Sequence, residues 1–269
     1  MQPIQTNAEL LASLPSDTRL SGKTAIVTGS TSGIGEAIAR VLAASGAEVV
    51  VSGRDVARAQ QVVETIISAG GQAHAVPADL SGSYAELRTF ARAAAGSLGG
   101  RVDMLVNNAG VYPVTATEEL PDSDLDAILG TNIRAPHVLV AALAPGMAGR
   151  GAGSIVNIGS WMSRIGTSSG AMYTASKAAV EQMTRNWAAE YGPRGVRVNT
   201  VSPGATLTPG NADFSVVLDA MTSGTAAGRP VRPIDIAYAV RFLVSEEALF
   251  VHGSVLDVDG GMLSTRLRF

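Results

Sequence analysis

The chain has 269 residues, 46% of them hydrophobic, 16% charged and 4% aromatic, with a formal net charge of −3. That length can bury one large core, and the interspersed charges form no basic cluster of the kind that binding to nucleic acid or an anionic lipid surface requires. Cysteine is absent and His74, His137 and His252 are scattered, so disulfides, thiolate chemistry and a metal centre are not expected.

Residues 1–20 carry Glu9 and Asp17 and no cationic start before an apolar stretch. They read as a poorly ordered or loosely packed N-terminal extension rather than a secretory signal. No apolar run approaches the ~20 residues of a membrane span, and the protein is expected in the cytoplasm. From residue 21 to 269, short apolar β-branched runs alternate with longer helical stretches. Strands are predicted at 25–28, 48–52, 73–77, 104–106, 154–158, 197–201 and 255–258. Helices are predicted between them at 34–44, 56–68, 84–95, 123–143, 171–191 and 234–244. Gly46, Gly70 and Gly192 follow three of these helices, where a left-handed residue often ends one. With no repeat or linker, the pattern predicts one α/β domain, Rossmann-like: a doubly wound, seven-stranded parallel sheet with helices on both faces. Residues 205–233 form the least regular stretch, and Phe214, Val216, Val217, Leu218 and Met221 within it point to a flap carrying a short helix.

The first strand runs directly into Thr28-Gly29-Ser30-Thr31-Ser32-Gly33-Ile34-Gly35. Glycines at such a turn let backbone approach a pyrophosphate, and the helix behind them offers unpaired N–H groups and a positive dipole end. Tyr173 and Lys177 stand four apart on a predicted helix and share a face. Tyrosine, with a pKa of about 10, is a poor base near neutrality, and a nearby ammonium would favour its phenolate. Of twenty basic residues only Lys23 and Lys177 are lysine. A lysine in a chain that otherwise uses arginine invites a chemical reason, because only its pKa is tunable. Gly130-Thr131-Asn132 is a poor sequence for a helix interior; an asparagine there either distorts the helix or has a job.

In their order and context these motifs resemble the short-chain dehydrogenase/reductase family, in its 3-oxoacyl-thioester reductase-like form. The resemblance spans about residues 20–261 and rests on T-G-x-x-x-G-x-G, Asn107-Asn108-Ala109-Gly110, Asn132, Ser160, Tyr173-Thr174-Ala175-Ser176-Lys177 and Pro203-Gly204. It implies a dinucleotide-binding catalytic domain in which Tyr173 is the acid/base and Lys177 its electrostatic helper and ribose ligand. Ser160 would donate to the substrate oxygen, and Asn132 would hold a water linking Lys177 to solvent. The resemblance also places a nicotinamide dinucleotide along Gly29, Ser32, Gly33, Ile34 and Gly35, with Asp79 and Leu80 at the adenine. Asn107, Ala109 and Gly110 would support its middle. Pro203, Gly204, Thr206 and Thr208 would meet its carboxamide and phosphates, although Thr206 replaces a more usual aliphatic residue.

Cofactor choice turns on Ser52-Gly53-Arg54-Asp55. NAD-preferring relatives usually carry an acid where Gly53 stands, to hold the adenosine 2′-hydroxyl. Here Arg54 can instead pair with a 2′-phosphate, which favours NADP(H); NAD(H), with Asp55 on the ribose, is the alternative. Tyr112, Trp161, Met162, Met172, Ala205, Phe214 and Met221 are candidate substrate contacts, apolar or amphipathic, and suit a hydrophobic small-molecule carbonyl. Arg164 is the arginine nearest in sequence for a substrate carboxylate, its direction left open. Residues 171–191 are apolar on more than one face, and the resemblance implies a homotetramer or dimer built on this helix. The leading expectation is an NADP(H)-dependent carbonyl reductase. Its rivals are an NAD-dependent alcohol or hydroxysteroid-type dehydrogenase and a non-catalytic dinucleotide-binding sensor.

Overall fold

A computed structural model describes residues 5–265 of the chain. Side chains alternate across each strand, and the alternation sorts the core into two layers. In β1 (Thr24–Val27), Ala25 and Val27 enter one hydrophobic cluster and Ile26 the other. Val49 and Val51 oppose Val50 in the same way in β2 (Glu48–Val51), as Met104 and Val106 oppose Leu105 in β4 (Met104–Asn107). With β3 (Gln72–Ala75), β5 (Gly153–Ile158), β6 (Val196–Pro203) and β7 (Val255–Val258), they form one parallel sheet ordered β3-β2-β1-β4-β5-β6-β7.

The helices cover both faces, as the sequence predicts. α1 (Asn7–Ala12), α2 (Gly33–Ala44), α3 (Val56–Ser68) and α9 (Pro233–Val244) pack on the first cluster. α4 (Tyr84–Ser97), α6 (Ala135–Gly149) and α7 (Ala171–Tyr191) pack on the second. α5 (Asp122–Ile128) leads into α6 through a π-helical turn, Leu129–Arg134, so the helix expected at 123–143 is longer and irregular. The irregularity falls on Gly130-Thr131-Asn132, where helix propensity is weakest. This run, Asp122–Gly149, is long and apolar enough to cross a membrane by composition, but it is mostly buried against α4 and the sheet, which makes it a core helix.

Two expectations need correcting. Gly46 and Gly70 take positive φ (93° and 85°), but Gly192 stays right-handed and the left-handed residue is Gly195 (φ 79°), after a short 3₁₀ turn. The segment before residue 20 is also not a loosely packed tail where it is described. Thr6 and Glu9 form a capping box that starts α1, and Leu11 is buried among α2 and α9. Asn7 Oδ1 accepts the Ile234 N–H (2.9 Å), Arg40 donates to the Leu11 carbonyl (2.9 Å), and Asp17 pairs with Arg241 (3.2 Å). The stretch 205–233 does carry a short helix, α8 (Ser215–Thr222), preceded by a 3₁₀ turn at Pro209–Phe214.

Truncating Leu11 to alanine is expected to lower unfolding stability by about 2 kcal/mol, the low end for a buried leucine. Urea denaturation measures it, and an unchanged midpoint would mean that α1 adds nothing to the core.

Candidate active site

β1 and β4 lie side by side, and the chain leaves them toward opposite faces, which opens a crevice at their C-terminal ends. Thr28 Oγ1 accepts the N–H groups of Asn108 (3.0 Å) and Ala109 (3.1 Å), while Asn108 Nδ2 donates to the carbonyls of Thr28 (2.8 Å) and Gly29 (3.0 Å). The turn after β1 is thereby fastened to the turn after β4. Gly29 sits at φ 62°, and a Cβ there would come within 2.9 Å of Ala109 Cα; one on Gly35 would meet the Gly29 carbonyl at 2.2 Å. Only glycine fits either position. Ser32, the residue before α2, makes no side-chain cap, so the first-turn amides of Gly33, Ile34 and Gly35 face the crevice without one. This cradle of bare backbone donors at a positive dipole end fits a dinucleotide pyrophosphate. Beside it runs a groove of about 580 Å³, lined by Thr31, Ser32, Glu36, Arg58 and Pro209.

The other sequence-predicted cofactor residues surround this cradle with different partners. Asp79 Oδ1 caps its own turn through Ser81 N (2.9 Å) and Ser81 Oγ (2.7 Å), bonds that hold its carboxyl below the usual range; Leu80 is buried. Asn107 is turned away from the glycine turn. Its Nδ2 donates to Asn157 Oδ1 (2.8 Å) in β5, and its Oδ1 has no partner among the described residues. Asn108, for which the motif alone implies no role, is the one that holds the turn; two adjacent asparagines ending a strand are the sequence signal for it. Gly204 packs on Asp259, Thr206 Oγ1 donates back to the Gly204 carbonyl (2.9 Å), and the Thr208 side chain lies against Gly33.

Ser160 follows β5 and starts the 3₁₀ turn Trp161–Arg164. Met162 N–H donates to Ser160 Oγ (3.2 Å), which leaves the serine proton to be donated onward. Tyr173, near the start of α7, lies close enough to the Ser160 hydroxyl to be influenced by it. Burial pushes the Tyr173 phenol up, the Ser160 hydroxyl works against that rise, and nearby Tyr112 adds to it. Lys177 Nζ lies 6.0 Å from the Tyr173 ring centre and donates to the Ile158 carbonyl (2.8 Å); burial pulls the lysine down to about 8. The Lys177 ammonium bends back toward the end of β5, and the Ser160 hydroxyl is the group that works against the rise at Tyr173. Asn132 uses both amide protons: Nδ2 donates to the Val111 carbonyl (2.9 Å) and Ser176 Oγ (3.0 Å), while Oδ1 accepts Val111 N–H (2.9 Å) and keeps one lone pair. A Cβ on Gly110 would lie 3.3 Å from both Asn132 Oδ1 and Lys177 Nζ, so these residues meet at one point.

Of the candidate substrate contacts, Tyr112 stands edge-on to Tyr173 (6.5 Å between rings), and Met172 lines a small cavity with Tyr173. Trp161 and Met162 form the turn after Ser160, and Ala205 is buried. Phe214 and Met221 are 62% and 44% exposed on the flap, whose Gly210 lies beside the Tyr112 hydroxyl. Arg164 points away, donating to Ser202 Oγ (3.1 Å) and pairing with Asp257.

A parallel sheet with this strand order and a glycine turn at its switch point defines a dinucleotide-binding α/β protein. Residues 29–263 match the family described as enoyl-(acyl carrier protein) reductase. An uncharacterized oxidoreductase of Methylorubrum extorquens is 40% identical, the match covering 91% of this chain and 99% of that one. A putative NAD(P)-dependent gluconate 5-dehydrogenase from Beutenbergia cavernae, solved with bound NADP, is 39% identical over 91% of this chain and 98% of its own, with a TM-score of 0.85. A 7α-hydroxysteroid dehydrogenase complexed with NADH is 37% identical over 91% and 96%, with a TM-score of 0.86. The chain belongs to the short-chain dehydrogenase/reductase family. It is an oxidoreductase that interconverts alcohol and carbonyl groups with a nicotinamide dinucleotide.

The depressed Lys177 has a measurable consequence. Cofactor-free, the folded protein releases this proton near pH 8, the unfolded chain near the usual 10.5. Between those values unfolding takes up a proton, so stability rises with pH. Wild type is expected to gain up to about 3 kcal/mol on Lys177→Met across that window, read from urea unfolding at stepped pH. Parallel profiles would contradict it.

Proposed function

We propose that the protein reduces an uncharged, hydrophobic ketone or 3-oxoacyl-type substrate with NADP(H), Tyr173 supplying the proton. The observation that carries this reading is the convergence of Tyr173, Lys177 and Asn132 beside Gly110, next to a Ser160 whose Oγ already accepts the Met162 N–H. Ser160 donates to the substrate oxygen as negative charge develops there, and Tyr173 delivers the proton that completes the alcohol. When bound, NADP(H) supplies the hydride. Lys177 keeps two protons beyond the one given to Ile158, enough to bind ribose hydroxyls and set a positive charge behind the phenol. Asn132 acts by fixing the Val111 segment above them and, in this reading, by holding the water that connects Lys177 to solvent.

The preference for NADP(H) is supported by what surrounds Gly53. A Cβ there would come 2.7 Å from Thr31 Cγ2, so an acid needs Thr31 to move. Asp55, the alternative ribose ligand, is occupied: Oδ1 caps α3 through Arg58 N–H (3.0 Å) and Oδ2 pairs with Arg58 Nε (3.2 Å). Arg54 is exposed and available for a 2′-phosphate. An uncharged substrate follows from Arg164 being committed to Asp257. The outer face of α7, with Ala171, Ala175 and Ala189 exposed, suits close packing of a second copy, and a tetramer or dimer working in the cytoplasm completes the proposal.

NADPH oxidation against a panel of ketones, quinones and 3-oxoacyl thioesters is the direct test. Tyr173→Phe should cut turnover at least about a hundredfold, the scale of a lost general acid; unchanged turnover removes the reading. Arg54→Ala should weaken use of NADPH about tenfold, one charge-assisted contact, and leave NADH alone. Gly53→Asp should confer efficient NADH use only together with Thr31→Ala, and a complete switch by Gly53→Asp alone would show that Thr31 does not guard the position.

A further inference from the structure

Glu181 is a buried carboxylate on α7, 4% exposed, one turn beyond Lys177, and nothing in the chemistry above employs it. A carboxylate withdrawn from water is costly unless it is bonded, so its partners show what it is for. Ser163 Oγ hydrogen-bonds Glu181 Oε1, and Arg164 Nε stands 3.8 Å from the same oxygen. The Ser163 hydroxyl also lies 2.7 Å from the Ser160 carbonyl. A Cβ on Gly159 would come within 3.4 Å of Glu181 Oε1, so the residue before Ser160 runs directly past the carboxylate. Each of these contacts is to residues 159–164 and none is to the helix that carries Glu181. On its far side the same turn is held by Arg164, which reaches Ser202 in β6 (3.1 Å) and Asp257 in β7.

We propose that Glu181 is a positioning residue for Ser160. The proposal rests on the roles given above to Ser160 and Tyr173. Ser160 follows the end of β5 and Tyr173 belongs to α7, separated by the exposed stretch 164–168. Lys177 ties α7 to the end of β5 at Ile158, and the position of Ser160 beyond that point depends on what fastens the Trp161–Arg164 turn to the helix. Glu181 does so through Ser163 and Arg164, on the helix that also presents Tyr173. Met162 N–H occupies one acceptor site of Ser160 Oγ and so limits where the serine proton can be donated, and that bond depends on the turn staying in place. Small displacements of a donor aimed at a reacting oxygen cost rate out of proportion to their size.

The test is a set of double mutants with two readouts. Ser163→Ala and Glu181→Ala should each lower kcat about tenfold, with the KM for NADPH within about twofold of wild type. Glu181→Gln, whose amide oxygen still accepts from Ser163, should recover most of the rate. In a Ser160→Ala background neither alanine change should lower kcat further, because both act through Ser160. The second readout needs no substrate: tyrosinate absorbance is titrated in the cofactor-free protein and compared with the matching Tyr173→Phe variants. The Tyr173 midpoint should move upward in Ser163→Ala and Glu181→Ala as it does in Ser160→Ala. Losses that add to Ser160→Ala, or a Tyr173 midpoint that stays in place, overturn the proposal. If Glu181→Ala does not fold, Ser163→Ala decides it alone. If no panel ketone is turned over, the catalytic reading falls, and the titration still decides whether Glu181 positions Ser160.

Discussion

At the middle of the sheet, Thr28 takes two backbone N–H groups from the turn after β4, and Asn108 returns two hydrogen bonds to the turn after β1. Parallel neighbours whose chains depart to opposite faces have a natural gap between their ends, and these bonds fix its width. Gly29 and Gly35 allow the turn to lie flat within that gap, so backbone rather than side chain faces the crevice. Without the fastening, the amide donors at the start of α2 would have no fixed relation to the chemistry on the far side of β4. Such part-buried, reciprocal bonds suit the task, since a donor or acceptor withdrawn from water is costly to leave unpaired once its partner is lost.

The same device recurs around the reacting groups. Asn132 clamps both backbone groups of Val111 and meets Ser176 on α7. Lys177 crosses to the Ile158 carbonyl at the end of β5, and Ser163 ties the Ser160 turn to Glu181. Each bond joins two different elements, so the site is held between elements rather than within any one of them. The π-helical turn at Leu129–Arg134 belongs to this scheme: it carries Asn132, whose amide bridges Val111 and Ser176.

Much of this was legible in the residues. The β-α rhythm predicts every strand of the sheet, because burial on both faces demands continuous apolar runs. Ser160, Tyr173 and Lys177 stand out in the sequence through the ordered motifs that carry the family resemblance, and the structure sets Lys177 6.0 Å from the Tyr173 ring. Other features were hidden because they depend on contacts distant in sequence. α1 looks like a tail until Asn7 and Leu11 are seen against α9. The direction of Lys177 is decided by a carbonyl nineteen residues earlier, and that of Arg164 by Asp257, ninety-three residues later. Spacing on a helix gives the shared face of Tyr173 and Lys177 but not the bend of a long side chain.

The packing of α2 on α9 has a consequence for how the chain is made. Ile38 and Leu42, in the first crossover helix, share their cluster with Ile234, Ala237 and Val240, close to the other end of the sequence. During synthesis the N-terminal half therefore emerges with one face of its sheet and its first helix lacking their final cover, and they stay so until the last helix leaves the ribosome. Closing contacts so far apart in sequence is slow, and apolar surface left uncovered meanwhile is prone to aggregate. The protein's yield is thus tied to completing its final forty residues, none of which takes part in the proton transfer proposed here.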